Sequence, residues 1–241
     1  MSSANTGIEW TDKTWNPVTG CHKVSPGCAN CYAETITKRF GMNGGDFSKI
    51  VLHPDRLDQP RRWRKPSRIF VNSMGDLFHK AVPLDFLFQI FDVMGQTPQH
   101  TYQILTKREQ RLQELAPLLT WHPNIWMGVS VENQEMADRR IPALIEVPAK
   151  VRFLSCEPLL GPVYLDSEAL GKGKALEKLH WIIAGGESGA GFRPCEWEWV
   201  YQLEIFADAW DIPFFFKQWG GLTPKKNGAL LHGRLIQDFP E

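Results

Sequence analysis

The sequence predicts an α/β fold, a partial TIM-like (β/α) barrel of about six to seven βα units. Three observations predict it. Short apolar, β-rich runs recur along the chain, and from Arg68 onward they start roughly 23 to 35 residues apart, room for one strand and one helix each. Several of them, such as RIFVN, WIIAG and PFFFK, are apolar without alternation, the pattern of strands covered on both faces. Segments of helical period lie between the runs. No Pro- or Ser-rich linker breaks the alternation, so residues 1–241 read as one domain.

In chain order the expected strands are Thr14–Thr19, Arg68–Asn72, Tyr102–Thr106, Ile125–Val131, Val151–Ser155, Trp181–Ala184 and Pro213–Phe216. The segment PLDFLFQIFDVMGQ sets Phe86, Leu87, Ile90, Phe91 and Met94 on one helical face, with Pro83 suited to a first turn. Between Arg108 and Leu119, a stripe of Leu112, Leu115 and Leu119 predicts a second helix. The stretch Cys195–Trp210 predicts a third, buried through Trp199, Leu203, Phe206 and Trp210. Asp166–Lys178 is polar enough for a surface loop or a short helix. Such alternation implies a parallel sheet, either open and doubly wound or curled into a barrel, and the length falls short of a closed eight-unit barrel.

Composition removes several classes. The 27 Lys and Arg equal the 27 Asp and Glu, and 43% of residues are hydrophobic, which excludes a disordered chain and any global field for nucleic acid or membranes. No apolar run is long enough to span a bilayer. The start MSSANTGIEWTDKTWNP lacks the basic-then-apolar order of a signal peptide, and an odd set of five cysteines suits a reducing compartment, so a cytoplasmic protein is expected. Ten Trp and 14 Phe serve either a thick core or stacking surfaces for flat ligands.

Residues just after the strands of a parallel sheet collect on one rim, where sites are built. Here those positions hold Cys21, then Asn72 to Asp76, Thr106 to Arg108, Glu132 and Asn133, Cys156 and Glu157, Gly185 to Ser188, and Lys217 and Gln218. The sharpest local signal is CHKVSPGCANC, a C-x6-C-x2-C triplet of Cys21, Cys28 and Cys31 in which Pro26 and Gly27 allow a tight turn. Three thiolates fill three of the four iron positions of a [4Fe-4S] cube and leave one iron for a non-protein ligand. Zinc instead wants a fourth protein ligand, and His22, Cys156 and Cys195 are poorly placed in sequence to supply it. Unliganded cysteines are the third alternative.

A three-cysteine loop after the first strand of a βα-repeat chain resembles the radical S-adenosylmethionine (SAM) enzymes, although their usual spacing is C-x3-C-x2-C. Over nearly its full length the chain resembles an uncharacterised phage and bacterial family of radical-SAM-like proteins, through TWNPVTGCHKVSPGCANCYAE, RIFVNSMGDLFH, QILTKR, GVSVEN, FLSCEPLLGP, IIAGGESG and PFFFKQWGG. The resemblance implies that Cys21, Cys28 and Cys31 hold the cluster and that SAM chelates its fourth iron. Ser73, Met74, Gly75 and Asp76 stand where such enzymes carry a Gly-Gly-Glu stretch for the SAM amino group, here with the acid shortened and the first glycine replaced. Thr106 and Lys107 would meet the SAM carboxylate by charge pairing, and Ser130, Glu132 and Asn133 its ribose or methionyl groups, with helix capping the alternative for Lys107 and Asn133. Lys107, Glu157 and Glu187 are the implied catalytic residues. An external electron donor would reduce the cluster, and SAM would be cleaved to methionine and a 5'-deoxyadenosyl radical that takes hydrogen from a substrate.

Two further patterns compete. Arg61, Arg62, Arg64, Lys65 and Arg68 surround Trp63, a combination suited to phosphate contact and base stacking, and Arg108, Arg111, Arg139 and Arg140 would extend that surface. This supports a nucleic-acid base as substrate or, alternatively, a zinc-binding nucleic-acid-interaction protein without radical chemistry. Gly186-Glu187-Ser188-Gly189-Ala190, with Asp208 and His232 following, approaches a nucleophile elbow but ends in alanine.

Overall fold

The strands run in the same order in the sheet as in the sequence: β1 (Lys13–Trp15), β2 (Arg68–Val71), β3 (Thr101–Thr106), β4 (Ile125–Ser130), β5 (Arg152–Cys156), β6 (Trp181–Gly185) and β7 (Phe214–Gln218). A doubly wound sheet must reverse its order at a switch point, and this one has none, so that alternative is removed. These are the features of a computed structural model that describes residues 6–223 and 226–241. The described residues form two compact units interleaved along the chain. The first comprises the chain up to Val24, Cys31–Met127 and Val147–Lys150, and the second Ser25–Asn30, Gly128–Glu146 and Val151–Glu241.

In the first unit β1 pairs in parallel with β2, and β2 with β3. The expected first strand is split: only Lys13–Trp15 joins the sheet, and Val18–Thr19 turns away to pair antiparallel with Val51–Leu52. Pro17, without an N–H, cannot continue a ladder. Asn16 before it is occupied instead, its Oδ1 accepting from the Met74 N–H at 2.9 Å and the Ser73 hydroxyl at 3.2 Å. Helix α1 (Tyr32–Phe40) follows the cysteine loop. Helix α2 (Leu84–Gly95) buries Phe86, Leu87, Ile90, Phe91 and Met94 as its period predicts, with Pro83 one position earlier than expected, as the N-cap. Helix α3 (Glu109–Leu115) buries Leu112 and Leu115.

In the second unit β5 pairs with β6 and β6 with β7, again in parallel. Helix α4 (Gln134–Ile145) follows β4, and helix α5 (Trp197–Ala209) precedes β7. The expected stripe on α5 is displaced: Leu203 and Phe206 are buried with Val200 and Ala207, while Trp210 is largely exposed. Apolar side chains surround this helix, so periodicity does not select a face, and the smaller Val200 and Ala207 are the ones that fit against the sheet.

Much of the aromatic surplus is core. In the first unit the buried Trp15 donates its indole N–H to the Arg56 carbonyl at 2.8 Å and lies 5.9 Å from the ring of Tyr102. In the second, buried Trp181 donates to the Asp238 carbonyl at 2.8 Å and contacts the rings of Phe153, Phe215 and Phe239. Each large ring is thus buried with its polar atom satisfied, the condition for a tryptophan core to be stabilising. Gly128 in β4 belongs to the same packing, since a Cβ there would lie 2.5 Å from the Phe153 ring.

Candidate functional site

In the first unit the strand ends converge on Asp76. Its Oδ1 accepts from the Phe78 N–H at 3.0 Å and the Thr106 hydroxyl at 2.8 Å, and its Oδ2 from the Lys107 N–H at 3.2 Å. Arg108 lies 3.6 Å from the same oxygen and donates from Nη2 to the His22 carbonyl at 3.1 Å and to the Cys21 sulfur at 3.5 Å. The Asp76 carboxylate therefore orders the turn after β3 and aims a guanidinium at a sulfur, an arrangement that complements a thiolate.

The turn after β2 is laid directly against the start of the cysteine loop. Gly20 and Gly75 form a bridge, the Gly20 N–H reaches the Met74 carbonyl at 2.9 Å, and a Cβ on Gly75 would press on the Gly20 carbonyl at 3.0 Å. At Gly20 φ is +91°, and a Cβ would meet the Lys49 carbonyl oxygen at 2.1 Å, so glycine is required at the point where the loop leaves the strand. Met74 packs with Ala33 and Phe47, and both Cys21 and Cys31 lie against that cluster. Ser73 offers its carbonyl to the Tyr32 hydroxyl at 2.6 Å.

Behind this turn, His22 Nδ1 stands 2.8 Å from His79 Nε2 with the rings stacked. Burial, then the charges of Arg108 and His22, push the His79 imidazole down to about 4 against the opposing pull of Asp76. Its folded pKa therefore lies below its ordinary 6.5, so the unfolded chain takes up a proton first as pH falls. The stability contributed by neutral His79 is present above pH 6.5 and is lost between 6.5 and about 4. Urea midpoints measured across that window should fall with acidity, and a His79→Gln chain should show a shallower fall; equal slopes would refute the assignment.

In the second unit the residues after β4 are fully engaged. Glu132 is 0% exposed and pairs through Oε2 with Arg140 Nη1 at 2.7 Å, while the same Nη1 reaches the Ser130 carbonyl at 2.7 Å. The expectation that Arg140 extends a basic surface is corrected here: it is 1% exposed, because it neutralises a buried carboxylate. Asn133 is the N-cap of α4, its side chain accepting from the Met136 N–H at 3.0 Å. After β5 and β7, Glu157 Oε2 meets Lys217 Nζ at 2.6 Å, both partly exposed.

Glu187, after β6, is held tightly. Its Oε2 accepts from the Asn30 amide at 2.9 Å and from the Arg193 backbone N–H and Nε at 2.9 Å each, and its Oε1 from Arg193 Nη2 at 2.5 Å. These four hydrogen bonds engage both oxygens of Glu187, three of them on Oε2. Burial alone pushes its carboxyl up, but the hydrogen bonds from Arg193 and Asn30 and the Arg193 charge outweigh it and hold the group below its usual range. Ser188 accepts from the Gln218 amide at 2.7 Å, and His232 is paired with Glu204 at 2.8 Å, so the nucleophile-elbow pattern has no serine–histidine contact.

The middle of the cysteine loop, Ser25–Asn30, belongs to this second unit. Pro26–Cys28 forms one 3-10 turn, closed by the Cys28 N–H on the Ser25 carbonyl at 3.0 Å, and Cys31 is the N-cap of α1. None of the five cysteines is in a disulfide; Cys21, Cys28 and Cys31 are half-buried, whereas burial pushes the Cys156 thiol up and that of Cys195 to about 12. Among the described residues no group of three or more His, Cys, Asp and Glu side chains is arranged to hold a metal ion. The donor chemistry still fits an iron–sulfur cluster: three cysteines outside any disulfide on one short loop, one of them facing a guanidinium. His22 Nδ1 is turned to His79, which leaves Nε2 as its only nitrogen for a zinc site.

The basic segment is only partly available. Arg61 is paired with Asp58 and Gln96, and Arg68 with Asp12, whereas Arg62, Arg64 and Lys65 are exposed. Trp63 is half-buried beneath Lys13, whose Nζ lies 5.4 Å from the ring centroid. No helix among the described residues is long and apolar enough to cross a membrane. Sequence reasoning missed Asn30 and Arg193 and placed Arg140 on the surface. Arg140 and Arg193 stand 8 and 6 positions from the carboxylates they pair with, spacings that no local rule connects.

No curated protein matches the chain. A family model described as a protein of unknown function (DUF5131) matches residues 5–240. Among solved structures, spore photoproduct lyase complexed with dinucleoside spore photoproduct superposes with a TM-score of 0.54 at 15% identity, over 92% of this chain and 78% of that one. A cysteine-to-serine mutant of that enzyme gives 0.52 at 14% identity, over 78% and 59%. A double mutant with bound AdoMet and dinucleoside spore photoproduct gives 0.50 at 14% identity, over 76% and 57%. The chain thus spans 59% of the length of the cysteine-to-serine mutant it matches. The likeness is one of fold: the chain is an α/β protein of the partial (β/α)-barrel type, as its strand order requires.

Proposed function

The chain belongs to the DUF5131 family of proteins of unknown function, and on that premise we propose that it is a radical SAM enzyme acting on a nucleic-acid base. The observation that carries the reading is the set of three half-buried cysteines, none in a disulfide, on the loop between the first strand and the first helix of a partial (β/α) barrel. The barrel likeness extends to a lyase structure containing AdoMet, which supports the same reading.

Cys21, Cys28 and Cys31 are the residues that would hold a [4Fe-4S] cluster. When bound, the cluster and SAM supply a one-electron reductive cleavage, driven by an external electron donor, that yields methionine and a hydrogen-abstracting 5'-deoxyadenosyl radical. The protein's part is positioning. Ser73, Met74 and Gly75 present backbone groups beside the loop, while Asp76 works through Thr106, the Lys107 N–H and Arg108. Ser130, Glu132 and Asn133 shape the corresponding turn of the second unit, with the Glu132 carboxylate and Asn133 amide acting through Arg140, Gly27 and the cap of α4. Lys107 and Glu157 are the groups assigned to proton transfer or substrate contact, Glu157 in partnership with Lys217.

A base substrate is favoured because the lyase structures hold a dinucleoside photoproduct and because Arg62, Arg64 and Lys65 are exposed near Trp63. The test is anaerobic purification and reconstitution, with iron and sulfide counted and 5'-deoxyadenosine sought after reduction in the presence of SAM. About four irons per chain and 5'-deoxyadenosine formation are expected. A colourless protein that yields none overturns the reading.

A further inference from the structure

The proposed cluster loop carries one feature that cluster chemistry does not itself require: its middle is pinned by two carboxylates of the second unit. At one point the Gly27 N–H donates to Glu132 Oε1 at 3.2 Å, and a Cβ on Gly27 would lie 3.0 Å from that carboxylate, so a larger residue would press the carboxylate back. Glu132 is in turn fixed by Arg140 inside the fold. At the other points Arg193 Nη1 donates to the Pro26 carbonyl at 3.0 Å, and the Asn30 amide donates both to Glu187 at 2.9 Å and to the Gly191 carbonyl at 2.8 Å. The two residues flanking Cys28 by two positions, Pro26 and Asn30, are therefore both tied to the Glu187–Arg193 pair.

We propose that Glu187, Arg193 and Asn30, together with Glu132 acting on Gly27, are positioning residues that set the geometry of Cys28 and thereby govern retention of the metal cluster. This rests on the radical SAM reading and deepens it. Glu187 changes role: its lone pairs are spent on the clamp, so it serves the loop and not the substrate. The physical basis is entropic and electrostatic. A six-residue gap between the first two cysteines leaves a longer, looser loop than the usual three, and fixing its backbone before metal binds removes that ordering cost from the binding step. Charge-assisted hydrogen bonds are the strong kind, and the Arg193–Glu187 contact is bidentate with a backbone N–H added.

The experiment uses the full chain, reconstituted anaerobically with iron and sulfide, and follows the rate at which iron passes to an added chelator. Arg193→Met and Asn30→Ala should release iron about tenfold faster, since each removes hydrogen bonds to a charged group. Arg193→Lys, which keeps the charge and loses the fork, should fall between. The electron paramagnetic resonance spectrum of the reduced cluster should broaden in Arg193→Met, a change that a merely structural residue far from the loop would not cause. If Arg193→Met fails to fold, Asn30→Ala decides alone, because Asn30 lies at the half-exposed end of the loop. Release rates and spectra equal to those of the parent chain overturn the clamp while leaving the radical SAM reading intact. A parent chain that binds no iron overturns both.

Discussion

A chain in which Cys28 is replaced by alanine should hold no iron–sulfur cluster after reconstitution and should form no 5'-deoxyadenosine, while its folding stability changes by less than about 1 kcal/mol. The large loss and the small one have separate causes. Three thiolates are the minimum protein ligand set for a SAM-binding cube, so removal of one leaves two irons without protein ligands. The same thiol is half-buried at the end of a 3-10 turn none of whose residues is buried, so its removal opens little cavity. Iron content, the visible spectrum and urea unfolding measured on one preparation check all three statements. Unchanged iron in Cys28→Ala would remove Cys28 from the ligand set; a collapse in stability would assign it to the core.

The largest effect on folding should come from Arg140. Replacing it with alanine should cost about 3–5 kcal/mol, because it strips the counter-charge from a carboxylate that has no contact with solvent. A double replacement, Arg140→Met with Glu132→Met, should recover a substantial part, since two apolar side chains of similar length need no pairing inside the fold. Denaturant unfolding of the parent, Arg140→Met, Glu132→Met and the double closes the cycle. A single-variant loss below about 1 kcal/mol would mean that Glu132 becomes protonated or hydrated at little cost. The double variant separates stability from loop control: it should fold well and still lose the Gly27 anchor, so its iron retention should be poor.

The fold was legible because its signals are local. Apolar runs without alternation, placed one helix apart, specify buried parallel strands, and six of the seven expected strands stand within two residues of their predicted bounds. The exception, Thr14–Thr19, failed at Asn16-Pro17. A proline cannot donate to a ladder, and the asparagine side chain found better partners in Ser73 and Met74. The α5 stripe failed for the opposite reason, since too many apolar residues leave no single face distinguished.

What the sequence by itself determined is the alternation of strand and helix, the three-cysteine loop after the first strand, and the rim positions that bear Asp76, Glu132, Glu157 and Glu187. Residue type and short-range spacing carry that information. Only the tertiary structure decided which partners those rim residues have. Arg140 reads as a surface cation until it is found buried against Glu132, and the partners of Glu187, Arg193 and Asn30, are set by the fold. Whether a carboxylate is open to a ligand depends on which donors fold against it, and those donors arrive from as far as 157 residues away in the chain, beyond the reach of any periodic pattern.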